Sequence, residues 1–255
     1  MKDWAGTGEA FAASYAQLCL GTAEALIVGL GPPRGRSVLD VGAGTGALAA
    51  RLAQAGWDAT GCEPEPSMRD VAQRDHPRIP MRDGALPDLR LGDAAFDAVT
   101  ANFVLNHVQD PRASASEMAR VSADVLAATI WSRSPSWFWL EVCESADITP
   151  AAGERLPAEK DFERTADGFA GMLSDAGWRD VKLDERAWTW YAEPAVLWAS
   201  AEGGVASAGA FYAALAPDDR ARFRGGFDAV CERRVVRGAI PLEHVAVMAV
   251  GRARD

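Results

Sequence analysis

From Ser37 onward the chain alternates between short β-branched or apolar runs and amphipathic stretches, the two hydrophobic periodicities of strand and helix. This rhythm predicts strands over 37–41, 58–62, 78–82, 95–101 and 124–131, with helices over 46–55, 66–74 and 111–121 between them. Before it, Phe11, Tyr15, Leu18, Ala25 and Leu26 fall at helical spacing, and Gly31-Pro32-Pro33 stops the pattern, so an N-terminal helical arm is expected. After Arg133 the rhythm breaks into a stretch containing Pro and Trp. It resumes at Thr165, a residue type that caps helix N-termini, with a helix ending at Ala176-Gly177-Trp178. A strand over 178–191, a helical insert over 192–239 and a closing strand over 240–251 complete the chain. Strands alternating with crossover helices predict an α/β protein, a doubly wound, mostly parallel sheet with helices on both faces. Neither internal repeats nor a low-complexity linker divides the sequence. One domain over 1–255 is therefore expected, with an arm at 1–33, a core at 34–131 and elaborations at 132–164 and 192–239.

Composition narrows the partners. With 255 residues, 49% hydrophobic and 24% charged, the chain can bury a sizeable core and lacks the signature of disorder. Lys and Arg number 26 against 36 Asp and Glu, and the net charge of -10 would repel a phosphate backbone, which disfavours nucleic acid. The apolar stretch 18–30 contains Glu24, is shorter than the ~20 residues that span a bilayer, and follows no basic segment of the kind that opens a signal peptide. The expectation is a soluble, cytoplasmic protein with no membrane partner. Cys19, Cys62, Cys143 and Cys231 are scattered without metal-ligand or C-x-x-C spacing, so they read as reduced thiols, and no Asp/Asn cluster suggests a magnesium site.

The most informative segment is Val38-Leu39-Asp40-Val41-Gly42-Ala43-Gly44-Thr45-Gly46, a buried strand feeding a glycine-rich turn that opens a helix. Missing side chains there let a ligand lie on the backbone. Gly42, Gly44 and Ala47 also satisfy the dinucleotide pattern G-x-G-x-x-G/A, and Glu63 follows at the distance expected of a ribose-binding acid. Charge separates the two ligands. Asp40, at the strand end, would repel a pyrophosphate at the helix N-terminus, where NAD places its phosphates. S-adenosylmethionine carries a sulfonium and an ammonium instead, so acids near the turn attract it, and Glu63 can still bond the ribose hydroxyls.

These residues resemble the first motif, D/E-x-G-x-G-x-G, of the class I S-adenosylmethionine-dependent methyltransferases, in particular small-molecule members of the methyltransferase type 11 and 25 kind. The resemblance covers roughly 37–131, with a weaker echo from Thr165 to Val181. Gly61-Cys62-Glu63-Pro64-Glu65-Pro66-Ser67-Met68 is similar to the family's second-strand end, which implies Glu63 on the ribose and Pro64 or Met68 against the adenine. Arg82-Asp83-Gly84-Ala85-Leu86-Pro87 resembles the segment in which Asp83, with Gly84, meets the adenine amino group. The run Phe96 to Val108 looks like strand four and its exit, with Asn102 bordering the methionine moiety. The family implies a Rossmann-like seven-stranded sheet whose last strand is antiparallel, and an N-terminal arm that would lay Tyr15 over the methionine end. Tyr15 reads equally well as part of its own helix's apolar stripe, Met68 equally well as core, and Asp83-Gly84 as a surface turn.

Methyl transfer from a sulfonium is an in-line displacement, so the enzyme chiefly aligns donor and acceptor, and a general base matters where the acceptor is an alcohol or phenol. His107, just after strand four, is the base candidate, with a non-catalytic hydrogen-bonding role as the other reading; His244 could line the pocket and His76 is expected in solvent. Trp131, Trp137, Phe138 and Trp139 lie at and after strand five, and Trp188, Trp190, Tyr191, Trp198, Phe211 and Tyr212 lie around the insert. Some of these rings fill core; the remainder suggest a lid over a largely apolar or aromatic small-molecule acceptor, as in natural-product tailoring. The strand-four exit lacks the N/D-P-P-Y/F segment of amino-methylating DNA enzymes, and no Pro-Cys of the cytosine-5 type occurs. O- or N-methylation is favoured over C-methylation, while acceptor and oligomeric state are not legible. Two alternatives stay open: a protein of this fold that binds the cofactor without methylating, and an NAD-dependent oxidoreductase.

Overall fold

A computed structural model describes residues 4–150 and 156–253; residues 151–155 of the 132–164 elaboration lie outside the described residues. The apolar run Ser37–Val41 forms β1, buried at all but its first residue, and pairs in parallel with β2 (Asp58–Cys62) on one side and β4 (Phe96–Asn102) on the other. β3 (Met81–Arg82) closes that edge beyond β2, and β5 (Ser122–Arg133) lies outside β4. β7 (Ile240–Arg252) runs antiparallel between β5 and β6 (Arg179–Ala192), giving a seven-stranded sheet of order β3-β2-β1-β4-β5-β7-β6. The strand order reverses between β1 and β4, and ligands of such sheets bind in the crevice outside the carboxyl ends at that point.

The helices are α1 (Gly8–Ala12), α2 (Tyr15–Cys19) and α3 (Ala23–Leu30) in the arm, then α4 (Ala47–Gln54), α5 (Pro66–Asp75), α6 (Pro111–Val121), α7 (Trp137–Ser145) and α8 (Ala166–Asp175). α9 (Pro194–Glu202), α10 (Ala206–Ala214) and α11 (Pro217–Arg234) make the insert before β7. Caps fix the starts as the residue types dictate: Glu65, Asp110 and Thr165 accept from the backbone N–H of Ser67, Ala113 and Gly168. Among the described residues no helix is long and apolar enough to cross a membrane.

The expected boundaries of β1, β2 and α6 match the structure, but β3 is two residues rather than the expected 78–82. Pro80 has no N–H to give the ladder, and the preceding residues turn instead, with the Ile79 N–H donating to the His76 carbonyl at 2.9 Å. The stretch after Arg133, which shows no clear period, contains α7. Its apolar residues are contiguous, so Phe138, Val142 and Cys143 are buried while Trp137 and Leu140 face solvent.

Core packing occurs in three places. Leu39, Val41, Leu126, Phe169, Met172 and Trp178 fill one face of the sheet, and Leu26, Leu30, Val38, Leu52, Trp57 and Met248 fill the other. Phe138, Leu197, Trp198, Phe223, Phe227 and Ile240 form the third, in which α7 from the first elaboration and α9 and α11 from the second share one core against the start of β7. Buried Trp178 also donates from Nε1 to the Ala115 carbonyl at 3.0 Å, tying the segment after α8 to α6. Trp178→Phe is expected to destabilise by about 1–3 kcal/mol by orphaning that carbonyl interaction and shrinking a packed ring, read as a lower urea midpoint at unchanged slope.

Candidate functional site

The turn after β1 is held open by backbone geometry that glycine alone adopts readily: Gly42, Gly44 and Gly46 have φ of +65°, +54° and +77°. The N–H groups of Gly42 and Ala43 both donate to the Cys62 carbonyl, at 2.8 and 3.1 Å, which ties the turn to the end of β2. A Cβ on Gly42 would stand 2.5 Å from Cγ2 of Val104, so the strand-four exit packs directly on the turn.

Two acids are buried beside it. Glu63, just past β2, accepts the Gly44 N–H through Oε2 and the Glu65 N–H through Oε1, both at 2.9 Å. Burial raises its pKa against those stabilising bonds. Asp40, the fourth residue of β1, is 1% exposed, and its Oδ2 has no hydrogen-bond partner. Burial, followed by the charge of Glu63, pushes its pKa up to about 8, while a hydrogen bond from the Ala49 backbone acts in the opposite direction. Ala49 lies in the first turn of α4, so the protein's own carboxyl occupies the helix terminus that a pyrophosphate would need.

Arg69 on α5 bridges the next elements. Its Nη1 donates to the Glu63 carbonyl at 2.7 Å and to Oδ1 of Asp83 at 3.2 Å. Asp83 is exposed and Gly84 is half-buried, with space for a Cβ blocked by Sγ of Cys62 at 2.7 Å. Pro64 is exposed at the rim, and Met68 is buried in the first turn of α5. Thus Asp40, the glycine turn, Glu63, Pro64, Met68, Asp83 and Gly84 surround the carboxyl ends of β1 and β2.

Asn102, at the end of β4, has a structural network of its own. Its Oδ1 accepts from Thr22 and Thr129 hydroxyls at 2.8 and 2.6 Å, and its Nδ2 donates to the Cys19 carbonyl at 2.9 Å. It fastens the arm to the sheet at the crevice. His107 sits in the loop after β4, ring edge to face with Trp4 at 5.6 Å. The arm crosses the site: the Gly6 and Gly8 N–H groups donate to Glu65 and Ser67 at 3.1 Å each, and Phe11 is the ring nearest Gly44. Trp4 and Phe11, 6.1 Å apart, are therefore the aromatic cover of the turn. Sequence spacing placed Phe11 on a helix and did not single out Trp4; nothing local to either residue reports a neighbour so distant in the chain. Tyr15 stands elsewhere, 5.7 Å from Trp190, with its hydroxyl beside Ser200 and Trp139, and burial raises its pKa. The arm, α7 and α9 meet at this ring. Among the described residues no group of His, Cys, Asp and Glu is arranged to hold a metal ion.

Comparison with known proteins gives the family of the chain. Residues 39–124 match the family model described as "Methyltransferase domain". The chain is 32% identical over 161 residues to the demethylmenaquinone methyltransferase of Paenarthrobacter aurescens, spanning 58% of this chain and 64% of that one. It is 32% identical over 174 residues to that of Beutenbergia cavernae, spanning 62% and 72%. Among solved structures it superposes on a provisionally assigned methyltransferase from Bacillus halodurans with a TM-score of 0.60 at 14% identity, covering 92% of this chain and all of that one. Phosphoethanolamine N-methyltransferase 2 of Haemonchus contortus, holding S-adenosylhomocysteine, gives 0.52 at 14% identity over 92% of this chain and 53% of that one. The chain belongs to the class I S-adenosylmethionine-dependent methyltransferases. Its methyl donor is S-adenosylmethionine, and the site fits that molecule: a buried carboxyl with one unpartnered oxygen, a second acid and a side-chain-free turn suit a cation with a ribose.

Proposed function

We propose that this protein transfers a methyl group from S-adenosylmethionine to a small, largely apolar or aromatic acceptor, as in natural-product biosynthesis. The observation that carries this reading is the convergence of the arm, α7 and α9 on Tyr15, where aromatic side chains rather than basic ones are gathered. Demethylmenaquinone, the acceptor named for the relatives, belongs to the same apolar, aromatic class.

When bound, S-adenosylmethionine supplies an electrophilic methyl group on a positively charged sulfur. The protein's part is binding and alignment. Asp40, at the turn, offers a carboxylate to the ammonium group. Glu63 has spent one lone pair of each oxygen on Gly44 and Glu65, leaving the others for the two ribose hydroxyls. Asp83 at the rim would accept from the adenine amino group, with Pro64 and Met68 to hold the base. His107 lies at the β4 exit, where its ring packs edge to face on Trp4 of the arm. Alignment of this kind can supply about 7–11 kcal/mol of the barrier.

Calorimetric titration tests the donor site: saturable binding of S-adenosylhomocysteine is expected, and no heat at millimolar ligand overturns the reading. Incubation with methyl-labelled donor and a panel of phenols, quinols and amines then tests transfer, label being expected in an aromatic acceptor.

A further inference from the structure

Past Asn102, where β4 ends, β5, β7 and β6 continue as a three-stranded platform. Register places residues of all three strands on a shared face: Trp131 opposite Ala246, His244 opposite Trp188 and Leu242 opposite Trp190. His244 is 5% exposed, with ring centroids 5.2, 5.9 and 6.3 Å from Trp131, Trp188 and Trp190. Ala246 brings only a methyl to the same face, between Trp131 and Arg186 in the register. Phe103, the residue after Asn102, stacks on Trp131 at 3.7 Å and 3°, so the cage adjoins the crevice in which the methyl donor is bound.

The polar atoms of the cage are arranged for a ligand. Nδ1 of His244 lies 3.0 Å from the Leu242 carbonyl, which can only accept, so the proton is on Nδ1 and the lone pair on Nε2. Among the described residues, Nε2 and the indole N–H groups of Trp131, Trp188 and Trp190 have no hydrogen-bond partner, and none of them is sealed away from solvent. Apolar walls with a few convergent, unpaired polar groups are the pattern of a small-molecule pocket.

We propose that this cage is the acceptor subsite and that it takes an aromatic hydroxyl compound, with His244 Nε2 receiving the hydroxyl proton. The inference rests on the methyl-transfer reading above. Burial lowers the pKa of His244 and keeps the imidazole neutral, as a proton acceptor must be. In turnover the acceptor O–H bond breaks with its proton passing to Nε2, and the oxygen's electron pair forms the bond to the methyl carbon. The carbon–sulfur pair stays on sulfur as a neutral thioether, and the imidazolium returns its proton to water when the product leaves. Flat indole walls select a planar ring, and the lone pair selects a hydroxyl at its edge.

The test uses 2-naphthol and naphthalene as probes on the protein loaded with S-adenosylhomocysteine. Wild type is expected to bind 2-naphthol about tenfold more tightly than naphthalene, the worth of one hydrogen bond. His244→Phe, which keeps a ring in place, is expected to erase that preference while leaving the S-adenosylhomocysteine Kd within about twofold, whereas Trp188→Leu should weaken both probes together. A preference that survives in His244→Phe, no probe binding to loaded wild type, or tighter binding of benzyltrimethylammonium than of 2-naphthol overturns the proposal. Failure to load S-adenosylhomocysteine overturns the methyl-transfer reading instead, and the two failures are distinct.

Discussion

Asp40→Asn is expected to weaken S-adenosylhomocysteine binding by roughly tenfold to a hundredfold while making the ligand-free protein more stable at alkaline pH. The first half follows from loss of a charge-assisted contact to the ligand ammonium, worth about 1.5–3 kcal/mol. The second follows from burial. The Asp40 carboxyl titrates near pH 8 in the folded protein, pushed up chiefly by desolvation and then by Glu63, against about 3.9 in an unfolded chain. Between those values the folded state holds a proton that the unfolded state has released, so stability falls as pH rises through this window and levels off above pH 8. Asparagine resembles the neutral acid in shape and hydrogen bonding and has nothing to ionise. Thermal melts of the two ligand-free proteins should therefore nearly coincide at pH 4 and diverge by pH 9, with the variant higher. The ligand supplies the missing counter-charge, so wild-type affinity for S-adenosylhomocysteine should rise with pH up to about 8. Flat affinity across that range, or a variant that melts lower than wild type at pH 9, would refute this account of Asp40.

Glu63→Gln carries the second large effect, and it strikes loop and ligand together. The two carboxylate oxygens accept from different backbone donors, Gly44 and Glu65. An amide has one oxygen only, so its NH2 must face one of those N–H groups, leaving a half-buried donor unsatisfied at about 1–3 kcal/mol. The same exchange removes the acceptor for one ribose hydroxyl. Expected readouts are a lowered melting temperature without ligand and a Kd for S-adenosylhomocysteine raised by about a hundredfold or more. Equal affinity in a folded Glu63→Gln protein would mean that the ribose is held elsewhere.

Both residues were legible before any fold was known, and the reason is local. Asp40 and the glycines lie within one strand-turn-helix unit, and Glu63 ends the next strand, so the parallel pairing of β1 with β2 brings them together almost automatically. Asn102 shows the limit of such inference. Its position at the end of β4 was legible, but its three partners, Thr22, Thr129 and the Cys19 carbonyl, lie on the arm and on β5. Tyr15 and Phe11 show it again: a helical period cannot report which ring of a bent arm meets the turn, because that depends on the anchoring of Gly6 and Gly8 to α5.

The sequence by itself determined the sheet's central strands, the glycine turn with its acids, and thereby the charge of the ligand it receives, because hydrophobic period and glycine geometry act over a few residues. Only the tertiary structure decided where the aromatic side chains go. Trp131, Trp188, Trp190 and His244 come from three strands distant in sequence, and only the antiparallel register of β5, β7 and β6 puts them on one face. A slip of one residue in that register would have turned each ring to the opposite side of the sheet.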